Sequence, residues 1–131
     1  MNGPVAPATP PVRPAVLIVD DEAALIAPLA VSLGIFFDVE SANSVEEAEI
    51  RLGTQTFAVI ICDHLMPGEM GLDFLTRLKE RHPGMKRILM TGYINPELIA
   101  RSMQLAGLSA CILKPMTPRE LVAEVQKALA D

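Results

Sequence analysis

Four short runs are apolar at nearly every successive position: Ala15–Val19 (AVLIV), Phe57–Cys62 (FAVIIC), Arg87–Met90 (RILM) and Ala110–Leu113 (ACIL). A half-solvated strand alternates apolar and polar residues, so runs of this kind read as strands buried on both faces. Phe36–Glu40 goes from apolar to polar and suits an edge strand. Between these runs lie amphipathic stretches of helical period. Glu22–Leu33 ends at Gly34, a plausible cap, and carries Pro28, which should kink it. Ser44-Val-Glu-Glu47 reads as a capping box opening a helix to about Leu52, stopped by Gly53. Leu72–Arg81 is followed by the stop signal His82-Pro83-Gly84, Pro96 opens a helix to about Ala106 closed by Gly107, and Pro118 opens the last.

Five strands alternating with five helices predict an α/β fold, a doubly wound parallel sheet with helices on both faces. Right-handed crossovers leave few topologies. Residues 1–14 hold five prolines and no usable apolar period, so a flexible Pro-rich tail is expected before a single domain over 15–131.

Composition excludes several functions. The net charge of -5 comes from 11 basic and 16 acidic side chains, without the basic stripe of a nucleic-acid binder. The nearest basic group, Arg77, Lys79, Arg81, Lys86 and Arg87, brackets one helix end and reads as solvated surface. No run approaches the roughly 18 apolar residues of a membrane span. The N-terminus lacks the layout of a secretory signal, so a cytoplasmic location is expected. Cys62 and Cys111 both lie in apolar runs and suggest neither a disulfide nor a zinc site.

In a parallel α/β sheet, ligands bind outside the carboxyl ends of the strands. Here those ends carry Asp20-Asp21-Glu22, Asp63, Thr91-Gly92 and Lys114-Pro115. Any one of these has an ordinary explanation as a cap, a strand end or a solvated lysine; four matching ends together do not. Three carboxylates held close repel one another, and a hard divalent cation relieves that repulsion. Magnesium takes oxygen ligands and is commonly held by one or two carboxylates plus phosphate oxygens. Phosphoryl transfer needs positioning and charge neutralisation, which a cation, an ammonium and a hydroxyl supply, while an aspartate can itself be the nucleophile.

These motifs, Val16-Leu-Ile-Val-Asp20-Asp21-Glu22, Cys62-Asp63-His-Leu-Met-Pro67, Gly71, Thr91-Gly92 and Lys114-Pro115, resemble the receiver domain of bacterial two-component response regulators over about residues 15–130. The resemblance implies a flavodoxin-like sheet of order 2-1-3-4-5. Asp63 would be the phosphoacceptor. Asp21, Asp63 and the backbone carbonyl of Leu65 would bind Mg2+, with Asp20 acting largely through water. Lys114 and Thr91 would contact the phosphoryl group, and the amides of His64 and Gly92 would complete its cradle. Pro115 would follow a cis bond, and Gly71 would supply a positive φ. The implied partners are a sensor histidine kinase or phosphotransfer protein and a downstream protein or output domain, with neither nucleic acid nor membrane contacted directly. A homodimer through the fourth helix, fifth strand and fifth helix is compatible with the pattern. The domain would signal rather than act as an enzyme, beyond its own phosphorylation and autodephosphorylation.

Two positions depart from the family pattern. Cys111 stands where many receivers carry the aromatic ring that moves with the threonine, and Tyr93 is a candidate substitute. Leu65 stands where many have a polar side chain. With Tyr93 it should flank the path of attacking water, which predicts a slowly decaying acyl phosphate. His64, next to the acceptor, should point away from it. The competing functions are a receiver that binds partners without phosphorylation, a nucleotide or flavin binder, and a haloacid-dehalogenase-type phosphatase. Retention of Asp20, Asp21, Asp63, Thr91 and Lys114 weighs against the first. The lack of a glycine-rich loop after the first strand weighs against the second. Glu22 in place of a second aspartate weighs against the third.

Overall fold

The computed structural model describes residues 13–92 and 95–131. Elements alternate along the chain: β1 (Ala15–Val19), α1 (Ala23–Leu33), β2 (Asp38–Ala42), α2 (Val45–Thr54), β3 (Val59–Asp63), α3 (Gly71–Arg81), β4 (Lys86–Thr91), α4 (Pro96–Ala106), β5 (Ala110–Leu113) and α5 (Pro118–Ala130). The strands form one parallel sheet of order β2-β1-β3-β4-β5, the expected doubly wound arrangement. Among the described residues no helix is long and apolar enough to cross a membrane.

Side chains alternate across a strand, so each central strand feeds two cores. Leu17, Val19, Ile60, Cys62 and Leu89 pack with Ala48, Leu52, Phe74, Leu75 and Leu78 from α2 and α3. Val16, Ile18, Val59, Ile61, Ile88 and Met90 pack on the other face with Ile26 and Leu33 of α1 and Leu121, Val122 and Val125 of α5. The continuous apolar runs exist because both faces are covered.

Several boundaries differ from the sequence expectation. β2 begins two residues after Phe36, because the amides of Phe36 and Phe37 still bond to the Leu33 carbonyl (3.0 and 2.9 Å) as the chain leaves α1. β3 likewise starts at Val59 rather than Phe57. Gly53 does not stop α2, which continues to Thr54 and turns out at Gln55 in extended backbone (φ -155°). Gly34 does cap α1, but in right-handed conformation (φ -63°), with its amide bonded to the Ala30 carbonyl at 2.8 Å. The Ser44 hydroxyl accepts the Glu47 amide as expected, while the reciprocal capping box lies at Thr117 and Glu120, which sequence reading did not single out.

Of the segment expected to be a tail, residues 1–12 lie outside the described residues. Pro14 accepts a bond from the Asp38 amide (3.0 Å), and Arg13 donates to the carbonyls of Gly34 and Ile35. The basic group is not uniformly solvated. Arg87 is 7% exposed and donates to the carbonyls of Met85 (2.7 Å), Ala106 (3.0 Å) and Gly107 (3.2 Å). Its stem lies on the face of β4 covered by α3 and α4, so the guanidinium ends among carbonyls at the close of α4 rather than in water.

Candidate functional site

Strand alternation sets the row of charged side chains at the carboxyl edge. Val16 and Ile18 in β1, Val59 and Ile61 in β3, and Ile112 in β5 face the α1–α5 core. The next residues of the same parity are Asp20, Asp63 and Lys114. A slip of one residue in any of these strands would turn its charge to the opposite face. Thr91 has the parity of Leu89 and lies on the α3–α4 side.

The charges meet. Lys114 Nζ lies 2.8 Å from Asp63 Oδ1 and 3.1 Å from Asp20 Oδ2, bridging two strands. Asp20 and Asp63 are buried, as is Thr91, while Asp21 is exposed. One carboxylate oxygen from each of Asp20, Asp21 and Asp63 falls within 4.8 Å of the others. Asp20 Oδ1 also accepts the Glu22 amide at 3.0 Å, which orients its carboxylate at the entry to α1. Burial pushes the Asp63 carboxyl above its ordinary value, the Lys114 hydrogen bond pulls it partly back, and the Asp20 charge pushes it up again. For Lys114, burial acts downward, but the hydrogen bonds to Asp63 and Asp20 carry the ammonium above its usual range. Lys114 is thus a fixed cation, and the three carboxylates still exceed it in charge. An all-oxygen donor set with an excess of negative charge fits a hard divalent ion such as Mg2+.

The loop from Asp63 to Gly71 is closed on itself. The His64 carbonyl accepts the amides of Gly71 (2.8 Å) and Met66 (3.2 Å), and Met66 is buried in the α2–α3 core. The implied positive φ of Gly71 is not found: among the described residues, left-handed glycines are Gly68 (φ 89°) and Gly107 (φ 59°). Gly71 is required for another reason, since a Cβ there would lie 2.0 Å from the Asp63 carbonyl oxygen. The His64 amide is not free for a phosphoryl cradle either, because it donates to the Met90 carbonyl (2.8 Å) in the sheet ladder. The His64 ring turns from the acid cluster, its Nδ1 facing the Leu72 amide at 3.4 Å. Leu65 is 68% exposed over the loop, and the Lys114–Pro115 bond is cis.

Cys111 is half-buried beside Leu89 in the β4–β5 register, on the face of Thr91. Tyr93, its candidate substitute, lies outside the described residues. Sequence reading missed a groove of about 530 Å³ beside the acids, lined by Asp20, Leu25, Pro28, Leu29, Lys114 and Met116. Its signal is in α1 itself, which carries no charged residue although Leu25 and Val31 are exposed.

A doubly wound α/β domain with an acidic triad and a bridging lysine at the carboxyl edge of its sheet has the donor set of a phosphate-handling or metal-binding α/β domain. The comparisons are more specific: residues 16–126 match the response regulator receiver domain, and the chain belongs to that family, which serves two-component signalling. It is 39% identical over 114 residues to the hydrogenase transcriptional regulatory protein HoxA of Cupriavidus necator, covering 87% of this chain and 24% of that one. It is 32% identical to the response regulator protein PilR of Pseudomonas aeruginosa, over 85% of this chain and 26% of that one. The chain spans about a quarter of the length of these curated relatives. Among solved structures, a CheY-like receiver domain from Methanospirillum hungatei superposes with a TM-score of 0.82 at 29% identity, over 90% of this chain and 94% of that one.

Proposed function

We propose that Asp63 accepts a phosphoryl group from a histidine phosphodonor on a sensor kinase or phosphotransfer protein, in the cytoplasm and with Mg2+. The single observation that carries this is the Lys114 bridge between Asp63 and Asp20 with Asp21 within reach. A carboxylate oxygen of Asp63 attacks phosphorus, the bond from phosphorus to the donor nitrogen breaks, and an acyl phosphate remains. Lys114 travels with the charge from carboxylate to phosphoryl oxygen, and Thr91 stands on the same rim to donate a hydrogen bond. Asp21, Asp63 and the Leu65 carbonyl would hold the magnesium, with Asp20 acting through water. Bound there, the ion supplies charge neutralisation for the equatorial oxygens.

The apolar groove beside Asp20 and Lys114 supports a protein donor. It offers Leu25, Leu29 and Met116 to a helix whose histidine must arrive at the acid cluster. Residues 15–131 form the receiver unit. The added charge shifts a two-state equilibrium of the α4–β5–α5 face, read by a downstream partner or output domain, with homodimerisation as one form of that output.

Intact-mass measurement after incubation with acetyl phosphate and Mg2+ tests the assignment. Addition of one phosphoryl group to the wild type but not to Asp63→Ala is expected. No addition with any donor would favour a receiver that binds partners without phosphorylation, a reading that Cys111 in place of the usual aromatic keeps open.

A further inference from the structure

Outside the acid cluster, the most organised set of charges joins the loop after Asp63 to two helices. Glu69 projects from the turn Pro67–Met70. Its carboxylate takes two bonds from one guanidinium, Arg77 Nη2 to Oε1 at 2.6 Å and Arg77 Nε to Oε2 at 3.0 Å. The third nitrogen of Arg77 reaches Glu49 of α2 at 3.1 Å, and Arg81 holds the same Glu49 carboxylate at 2.9 and 3.2 Å. Arg77 also lies over the ring of Phe74, 5.1 Å from its centroid, and Phe74 is fully buried. The Glu69 hydrogen bond is the largest influence lifting the Arg77 guanidinium above its ordinary range.

Isolated surface ion pairs contribute little, because holding two long side chains costs entropy and solvent screens the attraction. This case differs in two respects. The pairing is bidentate, which fixes the relative plane of both groups. Arg77 is also held from below by a buried ring and from the far side by Glu49, so much of its freedom is already spent.

The loop has fixed points at Met66 in the core and at Gly71 against the Asp63 carbonyl. Between them the backbone turns outward through Gly68 in left-handed conformation, and Glu69 is the charged residue on that stretch. We propose that Glu69 and Arg77 are a positioning pair, with Glu49 and Arg81 as its backing, that holds the Pro67–Met70 turn and, through the seating of Met66, the adjoining Leu65 backbone that faces the metal. The inference rests on the reading that this loop and Asp63 face a magnesium ion. Neither residue touches the ion; they act through the backbone between Asp63 and Gly71.

A double-mutant cycle on the whole chain tests the pair, using Glu69→Gln, Arg77→Met and both together. Calorimetric titration with Mg2+ reads the affinity, and amide exchange of Leu65, Met66, Gly68, Glu69 and Met70 reads the loop in the metal-free protein. Each single change is expected to weaken Mg2+ binding roughly three- to tenfold, below the ten- to hundredfold typical of groups bonded to the ligands themselves. Exchange in the loop should accelerate, Arg77→Lys should fall between wild type and Arg77→Met, and the double variant should be no weaker than the weaker single. With acetyl phosphate, more Mg2+ should be needed for half-maximal phosphorylation while the rate at saturating Mg2+ stays near wild type, a split that general destabilisation would not give. Asp21→Asn serves as the control. Binding that depends on Asp21 but not on Glu69 or Arg77, or single effects that multiply in the double variant, would overturn the pair's role alone. Binding independent of Asp21 would overturn the reading of the site and the pair together.

Discussion

Gly71→Ala isolates a contact that no side chain can accommodate. The added Cβ would lie 2.0 Å from the Asp63 carbonyl oxygen, 2.8 Å from its carbon and 2.9 Å from the His64 Cα, whereas ordinary contact begins near 3.4 Å. Every obstructing atom is backbone, so a rotamer change gives no relief. The strand end carrying Asp63 and the start of α3 must part by about 1.4 Å, the gap between 2.0 and 3.4 Å. Overpacking of this kind costs about 1–3 kcal/mol. For a domain of this size each kcal/mol lowers Tm by roughly 3–5 °C, so a fall of roughly 3–15 °C is expected by circular dichroism. The same shift moves the Asp63 carboxylate, and misplacing a reacting group by about 1 Å can cost about a hundredfold in rate. Phosphorylation by acetyl phosphate should therefore fall more steeply than stability does. Gly53→Ala is the companion: nothing lies within 4 Å of its Cβ position inside α2, and it should stabilise by up to about 1 kcal/mol. A Gly71→Ala protein that melts within about 2 °C of wild type and phosphorylates normally would refute the steric argument.

Asp63→Asn should raise Tm in metal-free buffer at neutral pH, because burial and Asp20 raise the folded carboxyl above its ordinary value and its ionised form therefore costs stability. The gain should shrink as pH falls through the folded value towards the unfolded one, and Mg2+ should narrow it by stabilising the wild type; a gain unchanged from neutral to acidic pH would contradict the linkage. Arg87→Met removes the donor to carbonyls of Met85, Ala106 and Gly107 and should cost about 2–3 kcal/mol in urea denaturation. An unchanged midpoint would mean that water replaces the guanidinium without loss. Leu65→Gln should shorten the acyl phosphate half-life by about tenfold, a barrier change of about 1.4 kcal/mol, if the exposed leucine obstructs attacking water. A wild-type half-life of seconds in magnesium buffer would remove that reasoning at its root.

The continuous apolar runs carried most of the fold, because burial on both faces of a strand leaves so few architectures. Asp20, Asp63, Thr91 and Lys114 were legible for the same reason: a strand's end is where its apolar run stops, and the topology brings those ends to one edge. Phe36 misled because exposed apolar residues in the turn after α1 look like the start of β2. Gly53 misled because a glycine can sit inside a helix at modest cost, and sequence does not tell that from a cap. Gly71 was singled out for the wrong property, since the approach of two backbones is a tertiary fact with no local signature. Arg87 was grouped with solvated neighbours, although its place in an apolar run was a clue that its stem had to be covered. Glu69 and Arg77 stand eight residues apart on a loop and a helix, a spacing with no periodic meaning.

The alternation that sorts the strand tips has a wider consequence. Asp20, Asp63 and Lys114 continue the row that packs under α1 and α5, while Thr91 continues the row under α3 and α4. Along most of its length the sheet is a partition, and among the described residues the two oily compartments beside it have no side chain in common. At the rim the partition ends. On the proposed function, a single small anion seated there is reached by the Lys114 ammonium from one compartment and the Thr91 hydroxyl from the other, so its arrival is a message delivered to two rooms at once.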